Sequence, residues 1–305
     1  MTTASANRLT PYLFLAPALI VLAVALLYPI CYMIYASFLD WNPSQRIGEA
    51  DWVGLRNYAN LLGDGAFRES LWVTIKFAAI VVTAEMVLGV GLALLLDRNI
   101  RGMSVLRTLF ILPMMIAPIV VGLMWRYMYH PTVGIFNRTL DNLGLPTVPW
   151  LSDGNWAFAS IIIADIWQWT PFIFILSLAA LQSLPQSAIE ASKIDGASGW
   201  QTILYIKLPL MAPVLIVTCL LRLIDAFKVL EVILVLTNGG PGLSTEILSL
   251  RIARTASEFR ELGVAAAMSN FLLILLMVLT IAMYLYNKAA EMRAARIRAA
   301  AEETS

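Results

Sequence analysis

Long apolar runs separated by shorter polar segments alternate along the whole chain. The runs lie at about 11–38, 71–96, 108–129, 157–181, 209–236 and 265–287. About 20 helical residues cross the roughly 30 Å hydrocarbon core of a bilayer, and every run is at least that long. The two-residue alternation of a membrane-spanning barrel does not occur in these runs. We therefore predict an all-α membrane protein, with six transmembrane helices in a single domain over 1–305.

The composition agrees with a chain that lies mostly in lipid. Hydrophobic residues make up 60% and charged residues 13% of the 305 residues, and the mean hydropathy is +0.77. Soluble domains carry about 25% charged residues, so a soluble cytosolic enzyme is excluded. The net charge of +1 gives no electrostatic reason to expect a nucleic-acid partner. Two cysteines and one histidine do not form a ligand pattern, so we expect no metal site.

The distribution of Lys and Arg in the short loops predicts the orientation of the chain. The 97–107 segment decides it, because Arg98, Arg101 and Arg107 stand there against a single acid, Asp97. The loops assigned to the other side are longer, and acids match their arginines. We therefore predict that both termini are cytoplasmic.

The segment 182–208, predicted to be cytoplasmic and called the coupling segment below, carries more helix signals than a plain connector needs. Two capping-box pairs predict two short helices: Ser183 with Gln186, and Ser198 with Gln201. Gly196 between them predicts a stop in the left-handed conformation. Small residues line the first predicted helix, at Ala188, Ala191 and Ser192. An apolar stripe lies along the second, at Trp200, Ile203 and Leu204. These features fit either a docking surface or a hairpin packed on its own bundle.

This segment resembles the EAA motif of ABC importer permeases. The matching residues are Glu190, Ala191, Ser192, Gly196, Ile206, Leu208 and Pro209, at the spacing of that motif. Ser192 stands where the pattern has Ala. In that family the segment is the coupling helix, which sits in a cleft of the ATPase subunit. The resemblance implies that six residues dock on a partner ATPase: Glu190, Ala191, Ser192, Asp195, Gly196 and Ala197.

Further matches extend the resemblance over nearly the whole chain. They lie at Tyr12–Pro17, Tyr28-Pro29, Val53–Tyr58, Arg107-Thr108, Leu112-Pro113 and Asp195–Ser198. The string Asn238-Gly239-Gly240-Pro241, followed by Thr245, resembles an outer loop typical of the carbohydrate-uptake subfamily. That subfamily includes the maltose-permease-like and glycerol-3-phosphate-permease-like first membrane subunits. The resemblance implies the six-helix permease fold of type I importers.

The sequence gives no sign of a nucleotide-binding site. A phosphate-binding loop has Gly immediately before its Lys, whereas the five lysines here follow Ile, Ser, Ile, Phe and Asn. We therefore expect a chain that is not an enzyme and holds no cofactor, with ATP and Mg²⁺ bound by a partner ATPase.

Charged residues recur every three positions in the fifth apolar run: Arg222, Asp225, Lys228 and Glu231. Each charge costs roughly 2.5–3.5 kcal/mol at mid-membrane on insertion scales, so this helix should face the bundle interior or a water-filled cavity. Successive members have opposite charges and could pair along the helix. Internal salt bridges and contact with substrate by one or two of them both remain open.

The fourth run places Asp165, Gln168 and Trp169 on one helical face. Carboxylate, amide and aromatic groups suit a sugar, and helix–helix contact is the alternative. Glu85, near the middle of the second run, needs a partner, and we expect a packing role for it. The tentative substrate pathway is Asp165, Gln168, Trp169, Arg222, Asp225 and Lys228.

The leading hypothesis is a membrane subunit of an ATP-driven importer in a bacterial or archaeal cytoplasmic membrane. Its substrate would be a sugar, a polyol or glycerol 3-phosphate. The expected partners are a second permease subunit in a heterodimer, an ATPase dimer, an extracytoplasmic solute-binding protein and membrane lipid. The alternatives are a self-sufficient ion-coupled secondary transporter, which would use the charges of the fifth run, and a membrane scaffold or sensor.

Overall fold

The structure, a computed structural model, describes residues 3–97 and 102–303. Arg98 and Arg101, two of the arginines on which the predicted orientation depends, lie outside the described residues. The helices are α1 (Thr3–Ala36), α2 (Arg56–Gly63), α3 (Gly65–Leu96), α4 (Met103–Ile111), α5 (Pro118–Met128), α6 (Ile135–Asn142), α7 (Gly154–Gln182), α8 (Gln186–Ile194), α9 (Gly199–Thr202), α10 (Leu208–Lys228), α11 (Glu231–Leu236), α12 (Leu248–Ser257) and α13 (Leu262–Glu303). Two short strands, β1 (Leu39–Asp40) and β2 (Asp51–Trp52), pair antiparallel.

Five helical stretches are long and apolar enough to cross a membrane: Tyr12–Ala36, Gly65–Leu96, Gly154–Gln182, Gly199–Leu236 and Leu262–Leu285. The bent pair Ser104–Met115 and Pro118–Met128 makes a sixth if it is one span. These stretches, taken over the described residues, confirm the predicted all-α membrane class. The last helix continues to Glu303, so the C-terminal tail extends the final span.

The third predicted span, 108–129, is not one continuous helix. Its two halves meet at 95°. Pro118 opens α5, and Ala117 before it is extended, with φ −58° and ψ 135°. A residue before proline disfavours the helical conformation, so the chain breaks at this position. Averaging hydropathy over a window hides such a break, because both halves are apolar.

The fifth predicted span, 209–236, is also interrupted. α10 ends at Lys228 and α11 begins at Glu231, and Val229 between them is extended, with ψ 133°. In lipid, non-helical backbone is tolerated only where it is buried in protein or lines a water-filled cavity. The break therefore marks a place where this chain is not facing hydrocarbon.

The described residues form two compact units. The first comprises the chain up to Gly65 together with Ile252–Leu275. In this unit the amide of Asn57 donates to the carbonyls of Ser37 and Leu39, both at 2.9 Å. Gly263, at the start of α13, lies so close that a Cβ atom there would come within 2.0 Å of the Leu39 carbonyl oxygen. This contact requires glycine at position 263.

The second unit comprises Ala66–Arg251 and α13 from Leu276 onward. Its core contains fully buried apolar residues of α3 and α7, including Phe77, Val81, Ile161 and Ile173. Gly122 lets α5 approach α11 closely, because a Cβ atom there would meet Val235 at 3.0 Å. The second halves of the two broken spans, α5 and α11, therefore pack against each other.

Candidate functional site

The turn of the coupling segment has the geometry that its sequence predicts. α8 ends at Ile194 with Asp195 as its C-cap, and Gly196 adopts a left-handed conformation with φ +76°. The amide of Ala197 donates to the Ser192 carbonyl at 2.9 Å, and the amide of Gly196 donates to the Lys193 carbonyl at 3.1 Å. These two bonds form a Schellman motif, which satisfies carbonyls at the end of the helix. The predicted glycine stop is confirmed.

Only the second of the two predicted capping boxes is present. The backbone N–H of Gln201 donates to Ser198 Oγ at 3.3 Å, and the backbone N–H of Ser198 donates to Gln201 Oε1 at 2.8 Å. The prediction for Ser183 is wrong, because Ser183 is the C-cap of α7 and its hydroxyl donates to the Ala180 carbonyl at 2.8 Å. Pro185 holds the position before α8 instead.

The second helix of the coupling segment does not stop before the membrane span. A π-helical turn, Ile203–Lys207, joins α9 directly to α10, so that one helical stretch leads from the turn into the fifth span. No loop therefore separates the start of α9 from α10.

The coupling segment presents most of its predicted docking residues to solvent. Those exposed are Glu190, Ala191, Asp195 and Gly196, while Ala197 is half-buried. Ser192 is buried, and its Oγ lies 3.3 Å from Thr202 Oγ1, so this residue joins α8 to α9. Two large apolar residues that the sequence analysis missed are exposed here, Ile194 by 87% and Tyr205 by 73%. An open cleft of about 430 Å³ lies along the same surface.

Arg222 of α10 forms a buried ionic cluster with two carboxylates. Its Nε and Nη2 atoms donate to Glu85 of α3 at 2.6 and 2.9 Å, and Nη2 also donates to Asp165 of α7. None of the three residues is more than 1% exposed. The predicted pairing of Arg222 with Asp225 is replaced by pairing between helices, because Arg222 faces the interior while Asp225 is exposed. The cluster connects α3, α7 and α10.

Two further predicted pathway residues lie beside this cluster. The Arg222 guanidinium carbon is 5.4 Å from the centre of the Trp169 ring, which is a cation–π contact. Gln168 is buried, and its Nε2 donates to the Ile116 carbonyl at the bend between α4 and α5, at 3.2 Å. Gln168 thus satisfies a backbone group that the broken span leaves without a helical partner. Within the described chain, Asp165 Oδ1 and Gln168 Oε1 are buried without a hydrogen-bond partner.

The remaining charges of the fifth span surround its break. Asp225 and Lys228 pair at 3.3 Å, with roughly half of each side chain exposed, and Glu231 is exposed as well. The hydroxyl of Ser249 donates to the Val229 carbonyl inside the break. The four charges therefore divide between two faces, as their winding around the helix requires.

The Asn238–Pro241 loop is held by Thr245. Asn238 and Gly239 both have positive φ, at 50° and 80°, which suits Asn and Gly. The Thr245 hydroxyl lies 2.8 Å from Thr237 Oγ1 and 3.0 Å from the Gly240 carbonyl oxygen. These residues make a compact, self-bonded turn after α11.

Replacing Gln168 with Leu should destabilise the chain by about 1–3 kcal/mol, because the Ile116 carbonyl loses its donor in a buried place. The change should lower the temperature of thermal unfolding of the purified protein. Thr170→Val is the matched control, since the Thr170 hydroxyl donates to the Ile166 carbonyl inside α7, where the helix supplies another partner. Equal unfolding temperatures for the two variants would contradict this role of Gln168.

Comparison with known proteins identifies the family. Residues 85–294 match the family model described as binding-protein-dependent transport system inner membrane component. The chain is 38% identical to the trehalose/maltose transport system permease protein of Thermococcus litoralis, over 88% of this chain and 90% of that protein. It is 32% identical to the sulfoquinovosyl glycerol transport system permease protein of Agrobacterium fabrum, over 92% of this chain and 90% of that protein.

A solved structure shows the same fold. The crystal structure of a bacterial ABC transporter involved in the import of the acidic polysaccharide alginate matches with a TM-score of 0.81 and 22% identity, covering 92% of this chain and 96% of that one. At this identity the likeness shows the architecture, and it confirms the predicted ABC importer permease fold. By family model, relatives and fold, the chain belongs to the binding-protein-dependent transport system inner membrane components, the permeases of ABC importers.

Proposed function

We propose that this chain is one of two different permease subunits of an importer for a sugar or a sugar-like solute. The observation that carries the substrate class is the similarity, over about nine-tenths of the chain, to permeases named for trehalose/maltose and for sulfoquinovosyl glycerol. Polyols and glycerol 3-phosphate belong to the same proposed class. The importer lies in a bacterial or archaeal cytoplasmic membrane with both termini of this chain on the cytoplasmic side.

A separate ATPase dimer, which binds ATP and Mg²⁺, drives the transport. Its docking surface on this chain is the exposed part of the coupling segment, where Glu190, Ile194 and Tyr205 lie around the left-handed Gly196 turn. Because α9 is continuous with α10, closure of the ATPase dimer on this surface tilts the fifth span. A two-state bundle biased in this way alternates between outward and inward openings.

The solute passes along the exposed side of the break between α10 and α11. Asp225, Lys228 and Glu231 are exposed on this chain although they lie in an apolar span, so they need water or a polar partner. Discontinuous helices in transporters commonly line the substrate path. Arg222 and Asp165, by contrast, are paired within the buried ionic cluster. This cluster positions α3, α7 and α10 around that path.

Uptake measurements on the reconstituted importer test this proposal. Proteoliposomes with both permeases and the ATPase, supplied with the binding protein, should accumulate at least one of trehalose, maltose, glycerol and glycerol 3-phosphate when ATP is enclosed on the ATPase side. Uptake should stop without ATP. Vesicles that hold this chain alone are the control, and they should accumulate none of the four.

Two results would contradict the proposal. Nucleotide-independent uptake by this chain alone would indicate an ion-coupled secondary transporter. Uptake of none of the four solutes by the complete assembly, with ATP hydrolysis intact, would contradict the substrate class.

A further inference from the structure

We propose that the second unit carries a saccharide-binding cleft for a single neutral pyranose ring at the end of α7 opposite the coupling segment. The cleft, of about 260 Å³, lies among Glu69, Trp72, Lys76, Asn155, Phe158 and Ser244. This inference rests on the proposed import of sugars and adds a first contact point for the solute. It involves none of the residues of the tentative pathway.

The position of the cleft follows from the direction of α7. Asn155 and Phe158 belong to the first turns of α7, whereas the coupling segment begins at the last residue of that helix, Gln182. A helix rises 1.5 Å per residue, so these two ends are about 40 Å apart, which exceeds the thickness of the hydrocarbon core. If the coupling segment is cytoplasmic, the cleft opens on the other side of the membrane, where solute arrives.

Lys76 is the chemical centre of the cleft. It belongs to a membrane-spanning helix, and its ammonium group lies 5.8 Å from the centre of the Trp72 ring and 5.5 Å from that of the Phe158 ring. These cation–π contacts hold the charge between two aromatic faces. An ionisable residue in a membrane span is a candidate functional residue, and this one stands in an open cleft rather than in a buried ion pair.

The third wall of the cleft is the loop that follows the Asn238–Pro241 turn. Ser244 stands next to Gly154, where an added Cβ atom would meet the Ser244 Cβ at 3.2 Å. The loop is also fixed to α3, because the Leu248 amide donates to Thr74 Oγ1 at 2.8 Å. The Ser244 hydroxyl is shielded from solvent and lacks a hydrogen-bond partner in the described part of the chain. These contacts hold the loop in place as a preformed wall of the cleft, with Ser244 among the lining residues.

The side chains of the cleft match a neutral sugar ring. Trp72, 58% exposed, offers a flat apolar face to the ring carbons. Lys76 and Asn155 can donate to sugar hydroxyls, and Glu69 can accept from them. The charges of Glu69 and Lys76 cancel, which favours a neutral ring over an acidic one. The volume corresponds to about nine water molecules, which is enough for one monosaccharide ring.

Saturation-transfer NMR on the complete importer in nanodiscs tests the cleft. Methyl α-D-glucopyranoside is the neutral probe and D-glucuronate the acidic one. Trp72→Ala and Lys76→Gln should each weaken binding of the neutral probe roughly two- to tenfold, the size of one lost ring or polar contact. Trp72→Phe should retain most of the binding. Glu69→Gln should strengthen binding of glucuronate relative to the neutral probe.

Two variants at the same end of the helices are matched controls. Trp156→Ala removes another exposed tryptophan near the start of α7, and Arg68→Gln removes another exposed charge near the start of α3. Neither residue lines the cleft, so both variants should bind the neutral probe as the unaltered protein does. If Trp72→Ala fails to assemble, the exposed Glu69→Gln variant still decides, because it changes the ratio of the two probes without removing packing.

The inference is overturned if the neutral probe binds with the same dissociation constant to the unaltered protein, Trp72→Ala and Lys76→Gln. A loss of binding in the two control variants equal to that in Trp72→Ala would overturn it as well. Uptake by the unaltered importer, measured in parallel, separates the two proposals. Sugar uptake with unchanged probe binding in the variants contradicts the cleft alone, and absence of uptake contradicts the proposed function.

Discussion

Replacing Arg222 with Met is expected to lower the free energy of unfolding by about 3–5 kcal/mol, the usual cost of removing one partner from a buried ionic cluster. The change leaves Glu85 and Asp165, exposed by 0% and 1%, facing each other without a cation. It also removes the ion pairs by which the cluster joins α10 to α3 and to α7. Chemical unfolding of the purified chain in detergent, followed by tryptophan fluorescence, measures the loss.

Two further variants distinguish buried charge from lost packing. Glu85→Gln should cost less, about 1–2 kcal/mol, because Asp165 still neutralises Arg222. The triple variant Arg222→Met, Glu85→Gln, Asp165→Asn should recover most of the stability lost in Arg222→Met, since no charge then remains buried. Unchanged stability of Arg222→Met together with lost uptake would contradict the structural role and indicate that Arg222 touches substrate.

The partners of Arg222 in the buried ionic cluster could not be predicted from the sequence. Hydropathy alone indicates that Arg222 must face the interior and have an acidic partner. The spacing within one helix favours Asp225, but the actual partners are 137 and 57 residues away. Which helices meet, and at what height, is decided by packing between elements, and one sequence contains no direct signal of it. The position of Glu85 in the second span predicts that it needs a partner, and that partner is Arg222.

The two broken spans differ in how visible they are in the sequence. The break before Pro118 has a local cause, so the proline in the sequence is enough to predict it. The break at Val229-Leu230 contains neither glycine nor proline. Its stabilising contact comes from Ser249, twenty residues later, so no local pattern predicts it. The glycine stop at Gly196 was predictable because its hydrogen bonds join residues within one turn of each other.

Gly196→Pro is expected to reduce both co-purification of the ATPase and solute uptake by at least about tenfold, the effect of losing a central docking contact. Proline fixes φ near −65°, whereas Gly196 has φ +76°, and proline also removes the amide that donates to Lys193. The turn must therefore rebuild, and Glu190 and Ile194 lose their relative positions. Glu190→Lys and Ile194→Asp should weaken the association without altering the turn, because both side chains are exposed.

Gly144→Pro is the matched control for strain. Gly144 also follows a helix, has φ +69° and donates its amide to a carbonyl three residues earlier, but it lies before α7 and outside the coupling segment. The Gly144→Pro variant should lower the stability of the chain about as much as Gly196→Pro does, while leaving association with the ATPase intact. A loss of ATPase association confined to Gly196→Pro, Glu190→Lys and Ile194→Asp would place the ATPase contact on the Gly196 turn of the coupling segment. Normal co-purification in all three variants would show that the ATPase is held elsewhere.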